Sequence, residues 1–157
     1  MSIASKLENL LDNSHVAYNV TAHPVAYTAR QVAAVEHLPA DEVAKPVILA
    51  EPKGYVMAVV PGDSDVNMKA LRRVLGVSQL RLASEQEIEN LFPDVEVGAM
   101  PPIGDLYGMP MIVDRSLSEH DEIIFNGGTH REAVHMKFED FYRLTRPKMA
   151  DFTRTRH

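Results

Sequence analysis

Lys45-Pro46-Val47-Ile48-Leu49-Ala50-Glu51-Pro52-Lys53-Gly54-Tyr55-Val56-Met57-Ala58-Val59-Val60 holds two apolar runs, 47–50 and 55–60, broken by Pro52-Lys53-Gly54. Short runs rich in valine and isoleucine, parted by a proline–glycine turn, predict a β-hairpin. Lys45 stands at its mouth. Pro46 biases the Lys45 backbone toward an extended shape, and a proline is tolerated at the first residue of a strand. On these residues alone Lys45 either caps a strand in solvent or serves a function.

Outward from the hairpin, helices and strands alternate. Upstream, Ser5-Lys6-Leu7-Glu8 has the form of a capping box within a helix ending near Asn13, and 17–22 reads as a short strand. Thr28-Ala29-Arg30-Gln31 is a second capping box, opening a helix that carries Val32, Val35 and Leu38 before Pro39. Downstream, Asn67 caps a helix that runs to Leu75 and stops at Gly76, 80–83 is a strand, and Ser84-Glu85-Gln86-Glu87 caps a helix closing before Pro93. Strands are expected at 109–114 and 122–125, a turn at 126–129, a last strand at 130–136 and a final helix at 138–144. Strands outnumber long helices and are joined by both hairpins and helices. That predicts an α/β chain of α+β type, a mixed sheet with helices packed around it, and not a doubly wound parallel sheet.

Composition narrows the chemistry. A chain of 157 residues, 45% hydrophobic, suits one globular domain with a real core. It has no cysteine, which removes disulfides, thiolate metal sites and a cysteine nucleophile. Lys6, Glu8 and Asp12 among the N-terminal leucines argue for an amphipathic helix rather than a signal peptide or membrane span, so a cytoplasmic location is expected. A net charge of −6 argues against duplex DNA as a partner. Lys69, Arg72 and Arg73 share a helix face, and Arg143, Arg146, Lys148, Arg154 and Arg156 make the C-terminal stretch basic. Both read first as a solvated face and a frayed tail.

Common site signatures fail. Asp63-Ser64-Asp65-Val66-Asn67 imitates a calcium loop, but Met68 and Val74 stand where glycine and glutamate are needed. There is no serine elbow, phosphate loop or H-E-x-x-H, and none of the seven histidines pairs at i,i+4, so no metal is expected. If 130–136 is extended, His130 and His135 face opposite sides of the sheet. What remains is Gly98-Ala99-Met100-Pro101-Pro102-Ile103-Gly104, where two prolines stiffen the backbone between glycines. Pro101 and Pro102 have no N–H, leaving Gly98, Ala99 and Met100 as donors that could grip a carbonyl or oxyanion. The alternative is a structural turn. His23-Pro24-Val25-Ala26-Tyr27-Thr28 likewise sets polar groups before a helix N-terminus, and Asn126-Gly127-Gly128-Thr129-His130 sets an imidazole after a glycine turn.

In order, these are H-P-x-x-x-T (His23, Pro24, Thr28), Lys45 before an apolar strand, D-x-N-x-K-x-L-R-x-x-L-G (65–76), L-A-S-E-x-E (82–87), G-x-x-x-P (Gly98, Pro102) and N-G-G-T-H (126–130). The series resembles the YbaK/EbsC family, free-standing relatives of the editing domain inserted in bacterial prolyl-tRNA synthetases. The resemblance spans about residues 1–145 and leaves 146–157 as a basic C-terminal tail. It implies a partly barrel-like mixed sheet and hydrolysis of the ester of a mischarged aminoacyl-tRNA, the amino acid being small and proline tRNA a candidate carrier. It implies no cofactor and no metal.

Lys45, Gly98 and His130 are then the expected catalytic positions. The loop N–H groups polarise the ester carbonyl, Lys45 holds the tRNA 3′ end, water or a ribose hydroxyl does the chemistry, and His130 orients the substrate. His23, Tyr27, Thr28, Ala99, Met100, Pro101, Pro102, Asn126, Gly128 and Thr129 are the expected substrate-binding positions. The expected partners are the aminoacylated tRNA acceptor end and an aminoacyl-tRNA synthetase, with no membrane. Pro46 and Met100 depart from the family pattern, and Met100 narrows the expected pocket. A non-catalytic binding module of the same fold, or a hydrolase of another ester or amide, are the rival readings.

Overall fold

The computed structural model describes residues 3–155; Met1 and Ser2 of the expected N-terminal helical stretch, and Arg156 and His157 of the tail, lie outside the described residues. In chain order the elements are α1 (Ser5–Asn13), β1 (Tyr18–Ala22), α2 (Ala29–Glu36), β2 (Ala44–Glu51), β3 (Gly54–Pro61), β4 (Ser64–Val66), α3 (Met68–Leu75), β5 (Arg81–Leu82), α4 (Glu85–Leu91), β6 (Met111–Asp114), β7 (Glu122–Asn126), β8 (Glu132–Lys137), α5 (Phe138–Thr145), β9 (Lys148–Ala150) and β10 (Thr153–Thr155). No helix among them is long and apolar enough to cross a membrane.

The hairpin forms, with Lys45 opposite Val60 and Glu51 opposite Gly54. It is the middle of a five-stranded sheet of order β5-β2-β3-β6-β9, in which β3, β6 and β9 run parallel and the other pairs antiparallel. β3 is covered on both faces, which explains its unbroken apolar sequence. Met57 and Val59 enter one core with Leu7, Leu11, Phe125 and Phe141. Val56, Ala58 and Val60 enter a second with Leu71 of α3 and Phe152. A three-stranded antiparallel sheet, β1-β8-β7, lies across the first core and touches the larger sheet through a parallel bridge between Val43 and Ile124. The mixed sheet expected from the sequence is therefore present, with helices packed around it.

Three expected caps form: Thr28 and Ser84 make full capping boxes, and the Asn67 side chain accepts from the Ala70 N–H. Ser5 does not cap. The N-cap is Ala4, whose N–H donates to Gly127 O at 2.8 Å, so docking onto the glycine turn sets where α1 starts. His130 is not in a strand either; β8 begins at Glu132, because 127–131 turn so that Gly127 N–H reaches Glu132 O at 3.1 Å. The argument about opposite sheet faces for His130 therefore lapses. The strand expected at 80–83 shrinks to the two residues of β5.

The tail is not frayed through its described length. β9 pairs with β6, and β10 pairs with β4. Between them Phe152 is 1% exposed, its N–H donates to buried Asp114 Oδ1 at 2.9 Å, and its carbonyl accepts from Asn67 N–H at 2.7 Å. Burying one such aromatic while satisfying both its backbone groups outweighs the entropy of a short strand.

Candidate active site

A cleft of about 420 Å³ opens where the N-terminus of α2, the start of β2 and the 98–100 loop meet, and its border includes Tyr27, Thr28, Lys45, Gly98, Met100 and Asn126. Residues separated by as much as 99 positions in the chain thus share one concavity. A wider hollow of about 580 Å³ lies between Ser118–Glu122 and Lys137–Tyr142, but it carries none of the expected site residues. The grouping of chemistry, not size, marks the smaller one.

Lys45 reaches the cleft because β2 is extended from Ala44, as the following proline requires. Its ammonium donates to Ser64 O at 2.7 Å, so the charge is tethered beside β4 and not left to wander in solvent. Gly62, just before β4, completes that wall. A Cβ there would lie 2.6 Å from Ala40 O, so only glycine lets the short turn 40–42 pack against the wall.

The opposite wall is the loop. Gly98 has φ +88°, a left-handed conformation that favours glycine, and a Cβ added to it would touch the His130 ring at 3.4 Å. Its N–H contacts Met100 Sδ at 3.3 Å, a weak acceptor. The Ala99 N–H is spent on Glu96 O at 2.9 Å. Among the described residues the Met100 N–H has no hydrogen-bond acceptor. Of the three expected donors, Ala99 is thus committed to a backbone carbonyl, Gly98 meets only a thioether, and Met100 has no acceptor among the described residues. Ala99, Pro101 and Pro102, expected to touch substrate, are buried and do not border the cleft. They fill the interior below the loop and stiffen it.

His130 stands behind the loop and not in the cleft. Its Nε2–H donates to Val97 O at 2.8 Å, its backbone N–H donates to Glu96 Oε1 at 2.7 Å, and its ring lies 4.9 Å from that of Tyr27. With Nε2 committed as donor, the other ring nitrogen, Nδ1, is buried and without a partner among the described residues. Gly128 and Thr129, expected to touch substrate, instead build the support. Gly128, at φ +112°, accepts from the Glu96 N–H at 2.9 Å and packs against Ala4 and Val95, while Thr129 Oγ1 donates to buried Glu132 at 3.0 Å.

His23 is likewise placed away from the cleft. Its Nδ1–H donates to Pro24 O at 2.7 Å, and Nε2 lies 4.0 Å from Glu36 Oε2, beside Thr21 and His135. Asn126 does border the cleft, and its Oδ1 is buried with no partner among the described residues. Thr28 combines two tasks, capping α2 through the Gln31 N–H and bordering the cleft. The sequence reading missed Gly62, Ser64 and Arg30, the last of which also borders the cleft from the first turn of α2. A Pro61-Gly62 step hinted at the first, but a backbone carbonyl gripping a lysine leaves no local signal. Among the described residues no histidine–carboxylate group has the form of a metal site.

The cleft brings a tethered lysine ammonium together with the backbone of Gly98 and the side of Met100. Residues 23–144 match the family model of the aminoacyl-tRNA editing domain. The chain belongs to that family. Its class of activity is accordingly editing of aminoacyl-tRNA, the hydrolysis of an aminoacyl ester. The editing domain is 27% identical over 156 residues to the multifunctional Ser/Thr-tRNA deacylase ProXp-y of Escherichia coli (strain K12), covering 96% of this chain and 92% of that one. It is 29% identical over 126 residues to the proline–tRNA ligase of Bacillus cereus (strain G9842), where 79% of this chain matches 21% of the ligase. In fold it superposes on a crystal structure of a candidate trans-editing enzyme for prolyl tRNA synthetase with a TM-score of 0.85 at 23% identity, covering 96% of each chain.

Proposed function

We propose that this editing domain works as a free-standing enzyme that removes a small amino acid from the 3′ end of a mischarged tRNA, with Lys45 and the 98–100 loop as its working parts. The observation that carries the assignment is their convergence on one cleft. The Gly98 and Met100 N–H groups receive the ester carbonyl oxygen and gain strength as it becomes an oxyanion. The Lys45 ammonium, held by Ser64 O, draws in the phosphorylated 3′ end as a point charge. Water adds to the carbonyl carbon, the bond to the ribose oxygen breaks, and the proton passes to that oxygen. The products are a free amino acid and an intact tRNA. His130 acts through the loop, fixing where Gly98 presents its amide.

Val43, Ala44, Pro46 and Met100 give the cleft an apolar side, which supports a small amino acid, proline tRNA being one candidate carrier. A net charge of −6 supports recognition centred on the acceptor end, assisted by a synthetase and without duplex DNA as partner, and the amphipathic N-terminal pattern supports a cytoplasmic enzyme with no membrane partner. Purified protein and a panel of mischarged tRNAs test this. Ester loss well above the buffer rate, restricted to small amino acids, is the expected result. Loss at the buffer rate for every tRNA defeats the enzymatic reading, and tRNA binding without cleavage would make the chain a binding module.

A further inference from the structure

We propose that the Tyr27 ring is a stacking platform for the terminal base of the tRNA, a purine, and so fixes where the ester sits relative to Lys45 and the loop. The inference rests on the editing function and adds a base-recognition site to it.

Tyr27 is 67% exposed, an unusual state for a phenol ring on the rim of a cleft whose other large apolar side chains are covered. The ring is nevertheless not loose. Its backbone N–H donates to Gln31 Oε1 at 2.8 Å, and the preceding Ala26 N–H donates to His130 O at 3.0 Å, tying the segment to α2 and to the glycine turn. One side of the ring leans on His130, with centroids 4.9 Å apart and planes inclined by 57°. His130 is itself locked by Val97 and Glu96. His130 thus buttresses Tyr27 from behind the loop, leaving the rest of the phenol ring at the rim of the cleft.

An ordered aromatic with its remaining surface open to solvent, next to a site for an ester on a ribose, fits a nucleobase. Single-stranded ends are read by stacking on such rings, and removal of one aromatic costs about 1–3 kcal/mol of binding per base. Hydrogen-bond readout of the base is not required. The ring recognises a π surface common to every tRNA end, while the cleft reads the amino acid.

The test compares two uncleavable probes, 3′-alanylamino-3′-deoxyadenosine and the matching 3′-alanylamino sugar without a base, by calorimetry and competition against tRNA. Wild-type protein should bind the adenosine probe at least tenfold more tightly than the abasic one. Tyr27→Ala should remove that advantage, weakening the adenosine probe about ten- to one-hundredfold, with the abasic probe and the melting temperature unchanged. Tyr27→Phe should retain it within about twofold. Equal binding of the two probes by wild-type protein, or equal loss of both in Tyr27→Ala, overturns the proposal. Because the probes are not cleaved, its failure is distinct from failure of the deacylase reading, which shows as ester loss at the buffer rate.

Discussion

The loop 98–104 and the turn 127–131 each carry two glycines, one of them at positive φ, yet they do different work. The first borders the cleft through Gly98 and Met100; the second stays behind and fastens the approach to the first through Gly128 O and the His130 ring. Gly98 has only the edge of an imidazole near its missing side chain, whereas Gly128 has the Ala4 Cβ and the Val95 side chain within 3.2 Å of where a Cβ would stand. A glycine facing a ligand and a glycine filling a crowded joint are indistinguishable until their neighbours are in place.

Substitutions can break this contrast. The largest effect is expected from Lys45→Ala, which removes the charge on the wall facing the loop: single-turnover deacylation should fall at least about a hundredfold, the range typical of losing one preorganised electrostatic group. Melting temperature should barely move, and normal turnover would take Lys45 out of the site. Gly98→Val puts a β-branched side chain at φ +88° and crowds His130, so kcat should fall tenfold or more. Gly128→Val should invert that pattern. Strain and the clash with Ala4 and Val95 should lower the melting temperature by about 5 °C or more, with KM nearly unchanged in the fraction that folds. If Gly128→Val altered KM without loss of stability, the division between presenting loop and supporting turn would be wrong.

His130→Ala sharpens the same boundary. As a positioning residue its loss should reduce kcat/KM about tenfold while leaving the shape of the pH–rate profile unchanged; disappearance of a limb of that profile would instead make it a proton carrier. The smallest effect lies far from the cleft, at Glu87, whose carboxyl is held well below its usual range by the Arg81 guanidinium, then by the Ser84 N–H and the Tyr55 hydroxyl. A depressed carboxylate stabilises the fold above its unfolded pKa and loses that contribution as pH falls through its folded value. Glu87→Gln should therefore lower the melting temperature slightly at neutral pH, and the difference from wild type should vanish on strong acidification. A difference that grew on acidification would refute the assignment.

Local chemistry was legible wherever a residue and its partner are neighbours in the chain. The 47–60 hairpin follows from its turn, and the caps at Thr28, Asn67 and Ser84 reach N–H groups three residues on. Ser5 had the same local signature as Ser84 and failed, because Ala4 was claimed by Gly127, more than a hundred residues away. β4, β9 and β10 escaped notice for a related reason. Each is three residues long and stands only because a distant strand supplies the hydrogen bonds.

The chain's own order of residues determined the mixed sheet, the caps at Thr28, Asn67 and Ser84, the absence of thiol chemistry and the supply of a lysine before an apolar strand and of a proline-stiffened loop. Only the tertiary structure decided which members of the candidate site face the cleft, keeping Tyr27, Thr28, Lys45, Gly98, Met100 and Asn126 and turning His23, Ala99, Pro101, Pro102, Gly128, Thr129 and His130 to support. The reason is physical. Motifs encode which groups are available, but the direction of a backbone N–H or an imidazole depends on which distant partner has already taken it.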